Sequence, residues 1–161
     1  MTMKKTIIVI ITCVCIAASA NAQQGSGRLS LGTGLLYKNG MDITLAYEHE
    51  MNYRHTWEFF VNGYLQWAEC ASCGHICPES FWRNYRSYGF GVAYNYGSLR
   101  IGASAGSDMN KFLGGLHFGY EHNYVLRAGW TLYWQVKSDV MIKGADVLRA
   151  GVVLGVKLPI K

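Results

Sequence analysis

The densest group of reactive side chains in this sequence is the octapeptide Cys70-Ala71-Ser72-Cys73-Gly74-His75-Ile76-Cys77, which brings three thiols and an imidazole close together. Thiolate sulfur and imidazole nitrogen are the usual ligands of tetrahedral zinc. Two Cys spaced by two residues, with His and a third Cys just beyond, resemble a Cys₃His knuckle. The sequence supplies no second, distant pair of ligands of the kind that completes a zinc ribbon. In an exported chain the plainer chemistry is oxidation: a loop disulfide, Cys70–Cys77 or Cys73–Cys77, with one thiol left over, or simply thiols. No resident metal is therefore expected, and Cys70, Cys73, His75 and Cys77 stand as the candidate ligands if one is held.

The second constellation is His117 and Glu121, four residues apart. On an extended strand they share a face, and an imidazole beside a carboxylate is the raw material of general acid–base catalysis. The same pair serves equally as a hydrogen-bonded support inside a core, with Arg100 or Lys137 as neighbours, and that is the expected role. His49 and His122 fall on the opposite face, near strand ends, where an amphipathic ring suits an interface. Gly32-Thr33-Gly34 is too short for a nucleotide-binding turn, and no helical pattern follows it. The chain is expected to be non-enzymatic, with no cofactor.

The elements that would position these residues alternate with a period of two. In Trp130–Asp139, Trp130, Leu132, Trp134 and Val136 fall on one face, and Thr131, Tyr133, Gln135, Lys137 and Asp139 on the other. The pattern recurs in Arg28–Tyr37, Asp42–Glu50, Thr56–Ala68, Asn84–Tyr96, Leu99–Asp108, Phe112–Tyr124 and Asp146–Leu158. Lys38-Asn39-Gly40 is a hairpin signal, because Asn-Gly accepts positive φ. Glu69–Trp82 is the one long irregular connection. Pro159 cannot donate to a ladder and belongs at the end of the last strand. Eight alternating strands with short connections predict an all-β, eight-stranded, antiparallel, up-and-down barrel.

Met1–Lys5 is basic, Thr6–Ala18 is apolar, and Ala20-Asn21-Ala22 is a small-residue cleavage site. That is the layout of a secretory signal peptide over residues 1–22, with an apolar run too short to span a bilayer. Residues 23–161 are then a single domain. Without Lys4 and Lys5, 13 of the 15 basic residues remain against 10 acidic ones. This mild excess, with no Lys/Arg cluster, gives no reason to expect direct nucleic-acid binding.

Three features favour a transmembrane barrel of the outer membrane. The polar faces carry Glu48, Glu58, Arg100, Asp108, Glu121, Lys137, Asp139, Arg149 and Lys157, which could pair inside a narrow barrel. Trp57 and Trp67 share a face ten residues apart, roughly 33 Å along a strand. Tilted by about 40°, this spans about 25 Å, the height of the apolar band between aromatic girdles. With both termini periplasmic, the long Glu69–Trp82 connection lies outside, where longer loops belong. A secreted lipocalin-like binder is the soluble alternative, with inside and outside exchanged.

Several segments carry a resemblance: LLYKNGMDITLAYEHE (Leu35–Glu50), WEFFVNGY (Trp57–Tyr64), ASAGSD (Ala103–Asp108), GGLHFGYEHNY (Gly114–Tyr124), GWTLYWQVKSDV (Gly129–Val140) and IKGADVLRAGVVLGVK (Ile142–Lys157). Together they resemble the TraO family of conjugative-transposon transfer proteins of Bacteroides-type bacteria. The resemblance implies an envelope component of a DNA-transfer apparatus, with outer-membrane lipid and other apparatus proteins as partners and no catalytic residues to carry over. The loop bearing Cys70, Cys73, His75, Cys77, Phe81 and Trp82 would be the contact surface. A general small barrel for adhesion or envelope protection is the alternative without DNA transfer.

Overall fold

The computed structural model describes residues 27–52, 54–70, 73–77, 84–126, 129–144 and 146–160. Eight antiparallel strands follow one another: β1 (Gly27–Leu36), β2 (Gly40–Asn52), β3 (His55–Trp67), β4 (Asn84–Tyr96), β5 (Leu99–Ser107), β6 (Phe112–Val125), β7 (Thr131–Ile142) and β8 (Leu148–Ile160). Each pairs with its sequence neighbours, and β8 returns to β1 through a ten-residue register from Gly27↔Ile160 to Leu36↔Gly151. The sheet is a closed up-and-down barrel. Closure satisfies every ladder without an edge, which alternation along single strands cannot itself guarantee. The expected signal peptide lies outside the described residues.

The parity read from the sequence is the parity of the walls, except at Asp108, which was expected among the interior charges and instead lies in the turn after β5, bonded to the Asn110 and Lys111 backbone. Along β7, Thr131, Tyr133, Gln135, Lys137 and Asp139 are buried, while Leu132 and Val136 are exposed. Among the described residues the buried side chains are predominantly polar or charged. The exposed ones include Leu31, Leu45, Phe59, Phe90, Ile101, Phe118 and Leu154. The apolar interior is small, a cluster of Ala46, Phe60 and Ala93. The barrel is inside-out relative to a soluble protein, whose buried positions are chiefly apolar.

Strand ends differ in detail from the expectation. The first hairpin turns on Lys38 and Asn39, with φ of 60° and 57°, rather than on Asn39 and Gly40. Positive φ at both central residues is the twist a two-residue hairpin needs. Gly40 instead opens β2, where a Cβ would crowd the Tyr64 ring. The gap between the expected segments Asp42–Glu50 and Thr56–Ala68 narrows, because β2 continues to Asn52 through a register shift between Glu50 and Asn52 and β3 begins at His55. Pro159 lies at the end of β8, past the last β7 pair at Thr131↔Lys157, so its missing N–H interrupts no β7 ladder. On the interior, a Cβ at Gly32 or Gly155 would run into Tyr133, so the two glycines make room for that ring.

Candidate functional site

Two parts of the molecule gather chemistry: the lumen and the barrel end opposite the termini. The lumen holds linked ion pairs. Near the end carrying the termini, the Lys157 ammonium lies 2.6 Å from Glu48 Oε1 and 2.5 Å from Glu121 Oε1. Next to it Arg100 donates to Glu58 through Nε at 2.9 Å and Nη2 at 2.8 Å, and Asn95 donates to the same carboxylate at 3.2 Å. Higher up, Lys137 bridges Asp42 at 2.5 Å and Asp139 at 2.8 Å. Towards the far end Arg149 lies over the Tyr64 ring, 3.8 Å from its centroid, and donates to Ser87. Charges this deep persist best with partners of opposite sign and good geometry. The facing strands provide these for Lys157, Arg100 and Lys137, while Arg149 is held by the Tyr64 ring and Ser87.

The structure separates His117 from Glu121. Glu121 joins Lys157 and accepts a hydrogen bond from Asn123, whereas the His117 ring lies 2.8 Å from Asp139 Oδ1 and 2.6 Å from Ser104 Oγ. A residue four further along a tilted strand sits at a different height in the lumen, so the two meet different neighbours across the barrel. Ser104, His117 and Asp139 thus bond in the order of a hydrolytic triad. Sequence reasoning missed this, although Gly102-Ala103-Ser104-Ala105-Gly106 has the Gly-x-Ser-x-Gly spacing that marks a nucleophile elbow. Ser104 lies within β5 rather than on a strand-to-helix turn. His117 is 1% exposed. The lumenal cavity it helps to line is about 10 Å³, room for about one water molecule. Ser104 itself is half-buried, and the Ser104–His117–Asp139 chain of hydrogen bonds links β5, β6 and β7.

At the far end, the cysteine loop leaves β3. Cys70 N–H donates to His75 O at 3.0 Å, and Gly74 N–H donates to Cys70 O at 2.9 Å. Gly74, at φ +69°, takes the left-handed backbone that lets the chain double back. This turn brings Sγ of Cys70, Cys73 and Cys77 within 4.8 Å of one another. All three are thiols in the structure. His75 is exposed and is not among the converging donors, so of the four candidate ligands only the three sulfurs come together. Phe81 and Trp82, expected on the same contact surface, lie outside the described residues.

Beside this loop is an open cleft of about 490 Å³, lined by Lys38, Asn39, Gln66, Trp67, Glu69 and Tyr85. Gln66 donates to Lys38 O at 3.3 Å, and Asn39 donates to Glu69 Oε1 at 3.2 Å. Trp67 is therefore half-buried against the loop end rather than set out on the barrel wall like Trp57. The outward aromatics at the far end are Tyr37, Tyr88 and Phe112. At the end with the termini they meet in tilted or edge-on pairs: Trp57 with Tyr94 at 5.3 Å, His122 with Tyr124 at 4.7 Å, and Tyr120 with Trp134 at 5.9 Å.

The fold is thus that of a closed eight-stranded antiparallel barrel with a polar, filled lumen. A solved structure from the de novo design of transmembrane β-barrels is similar, with a TM-score of 0.44 and 14% identity over 86% of this chain and 98% of that one. No protein-family model matches the chain. No curated protein matches it either.

Proposed function

We propose that this chain is an outer-membrane barrel that acts, without catalysing a reaction, as a structural or accessory component of a conjugative DNA-transfer apparatus. The observation that carries the membrane reading is the inverted polarity of the wall, with ion pairs within and Leu, Val, Ile and Phe without. Water would not tolerate such a continuous apolar belt, since soluble monomers rarely expose contiguous patches beyond a few hundred Å². Lipid suits it. The outward Tyr88 and Tyr96 bracket the belt along β4. Their eight-residue separation is roughly 26 Å of strand. At a tilt of about 40° this gives about 20 Å across the membrane, slightly less than the usual apolar band.

The transfer role is supported by the resemblance of six segments between Leu35 and Lys157 to the TraO family. With the termini periplasmic, the cysteine loop and its cleft face outward, towards an apparatus partner or a recipient surface. The filled lumen leaves no passage for a DNA strand, so the role is one of contact rather than conduction. The same filling disfavours the lipocalin-like alternative, which needs a ligand chamber.

Deleting the gene and measuring mating frequency tests the role. A fall restored by the intact gene supports it. Unchanged transfer from cells that normally express the protein would leave a general envelope barrel as the better account.

A further inference from the structure

We propose that Cys70, Cys73 and Cys77 form a three-thiolate site for a single thiophilic d¹⁰ cation of the zinc class, with a fourth coordination position open to water. This rests on the loop alone and does not depend on the role in DNA transfer.

The geometry points to a shared ion rather than to a disulfide. Each of the three sulfurs lies within 4.8 Å of both others. Around zinc, with Zn–S near 2.3 Å, tetrahedral angles place thiolate sulfurs about 3.8 Å apart. Closing the triangle needs side-chain shifts of less than about an ångström, without moving a strand. A disulfide would use only two of the three sulfurs, whereas all three converge. The main chain holds the arrangement independently. Hydrogen bonds from Cys70 N–H to His75 O and from Gly74 N–H to Cys70 O close the turn, and Gly74 supplies its left-handed residue. In the thiol form Cys73 Sγ donates to His75 O at 3.6 Å, a bond that is given up when the thiol loses its proton.

Burial decides the open side. Cys70 and Cys77 are half-buried, while Cys73 and the neighbouring His75 are exposed. An ion held by the three sulfurs would be shielded by the loop on one side and meet solvent on the other. Three protein ligands with one exchangeable position is the coordination of an accessible zinc site rather than a closed structural one. Binding exchanges three thiol protons for one dication. It would also guard thiolates that an oxidising envelope otherwise consumes.

The test uses the mature chain folded in detergent under reducing conditions, with its heat-dependent gel mobility confirming the barrel in every variant. Cobalt(II), as a spectroscopic stand-in for zinc, is titrated in. The expected result is one ion per chain, with an intense sulfur-to-cobalt charge-transfer band. Added zinc displaces the cobalt and protects all three thiols from alkylation. Cys73→Ser and Cys77→Ser each abolish the band, and His75→Ala retains it. Failure of the reduced protein to take up either ion overturns the proposal, as does a band that survives Cys73→Ser. A band lost in His75→Ala would also overturn the three-sulfur assignment. Whether mating frequency changes bears on the transfer role and leaves this result untouched.

Discussion

Arg100 on β5 reaches past β4 to grip Glu58 on β3 with two parallel hydrogen bonds, at 2.9 and 2.8 Å, and both side chains are 6% exposed. A guanidinium and a carboxylate meeting fork to fork fix distance and angle together. This pair therefore ties three consecutive strands at the end that carries the termini. Removing one member strands the other in a lumen with almost no free volume. Arg100→Met is expected to destabilise the folded barrel by about 3–5 kcal/mol, and Arg100→Met with Glu58→Gln by clearly less. Urea unfolding in lipid vesicles, followed by tryptophan fluorescence, measures both. A single substitution costing under about 1 kcal/mol would contradict the pairing.

Lys157 holds two carboxylates apart, with Glu48 on β2 and Glu121 on β6 both within ion-pair distance. Lys157→Met leaves like charges facing one another across a narrow lumen. Adding Glu48→Gln and Glu121→Gln to that variant is expected to recover much of the lost stability, which a packing defect alone would not allow. Unfolding midpoints of the single and triple variants decide it. A triple variant no more stable than Lys157→Met would sink the electrostatic account.

Phe90 lies mid-strand on the outer wall of β4 and is 67% exposed. On a water-facing surface an arginine there would be close to neutral. In the apolar band of a bilayer, Phe90→Arg is expected to cost about 2–4 kcal/mol, and Phe112→Arg at the belt's far edge much less. Folding of both variants into vesicles supplies the comparison. Equal and negligible costs would place the wall in water.

Asp108, in the turn between β5 and β6, accepts hydrogen bonds from the backbone N–H of Asn110 at 3.0 Å and of Lys111 at 2.7 Å. These two donors, chiefly that of Lys111, hold its carboxyl below the ordinary aspartate value. Because the folded value is depressed, the turn's order is present above the unfolded pKa and is lost as pH falls through the folded one. Amide chemical shifts of Asn110 and Lys111 are expected to titrate with a midpoint below about 3.9. A midpoint at or above that would mean the bonds are not formed in solution.

Much of this architecture is legible in single strands. Thr131, Tyr133, Gln135, Lys137 and Asp139 share a parity in the sequence and a lumen in the structure. The eight-fold repetition of such segments leads directly to the barrel. What single strands withhold is height. His117 and Glu121 share a face, yet the strand's tilt and the registers with β5 and β7 bring His117 to Ser104 and Asp139 and send Glu121 to Lys157. Turn chemistry was half legible. Lys38 and Asn39 carry the positive φ, and Gly40 is small because Tyr64 needs the space. Trp67 matched Trp57 in parity but is half-buried in a cleft formed by neighbouring turns, which no strand periodicity encodes. The convergence of the three cysteines depends on Gly74 and two loop hydrogen bonds, so spacing offered ligands without showing that His75 points elsewhere.

The central claim is that this barrel lives in a membrane with its charges turned inward. Electrophoresis of the outer-membrane fraction, with and without boiling, tests it most directly. A barrel closed by eight ladders and held by lumenal ion pairs should survive detergent until heated, then change its apparent size. Recovery of the protein in the soluble periplasmic fraction, with the same mobility before and after boiling, would contradict the account.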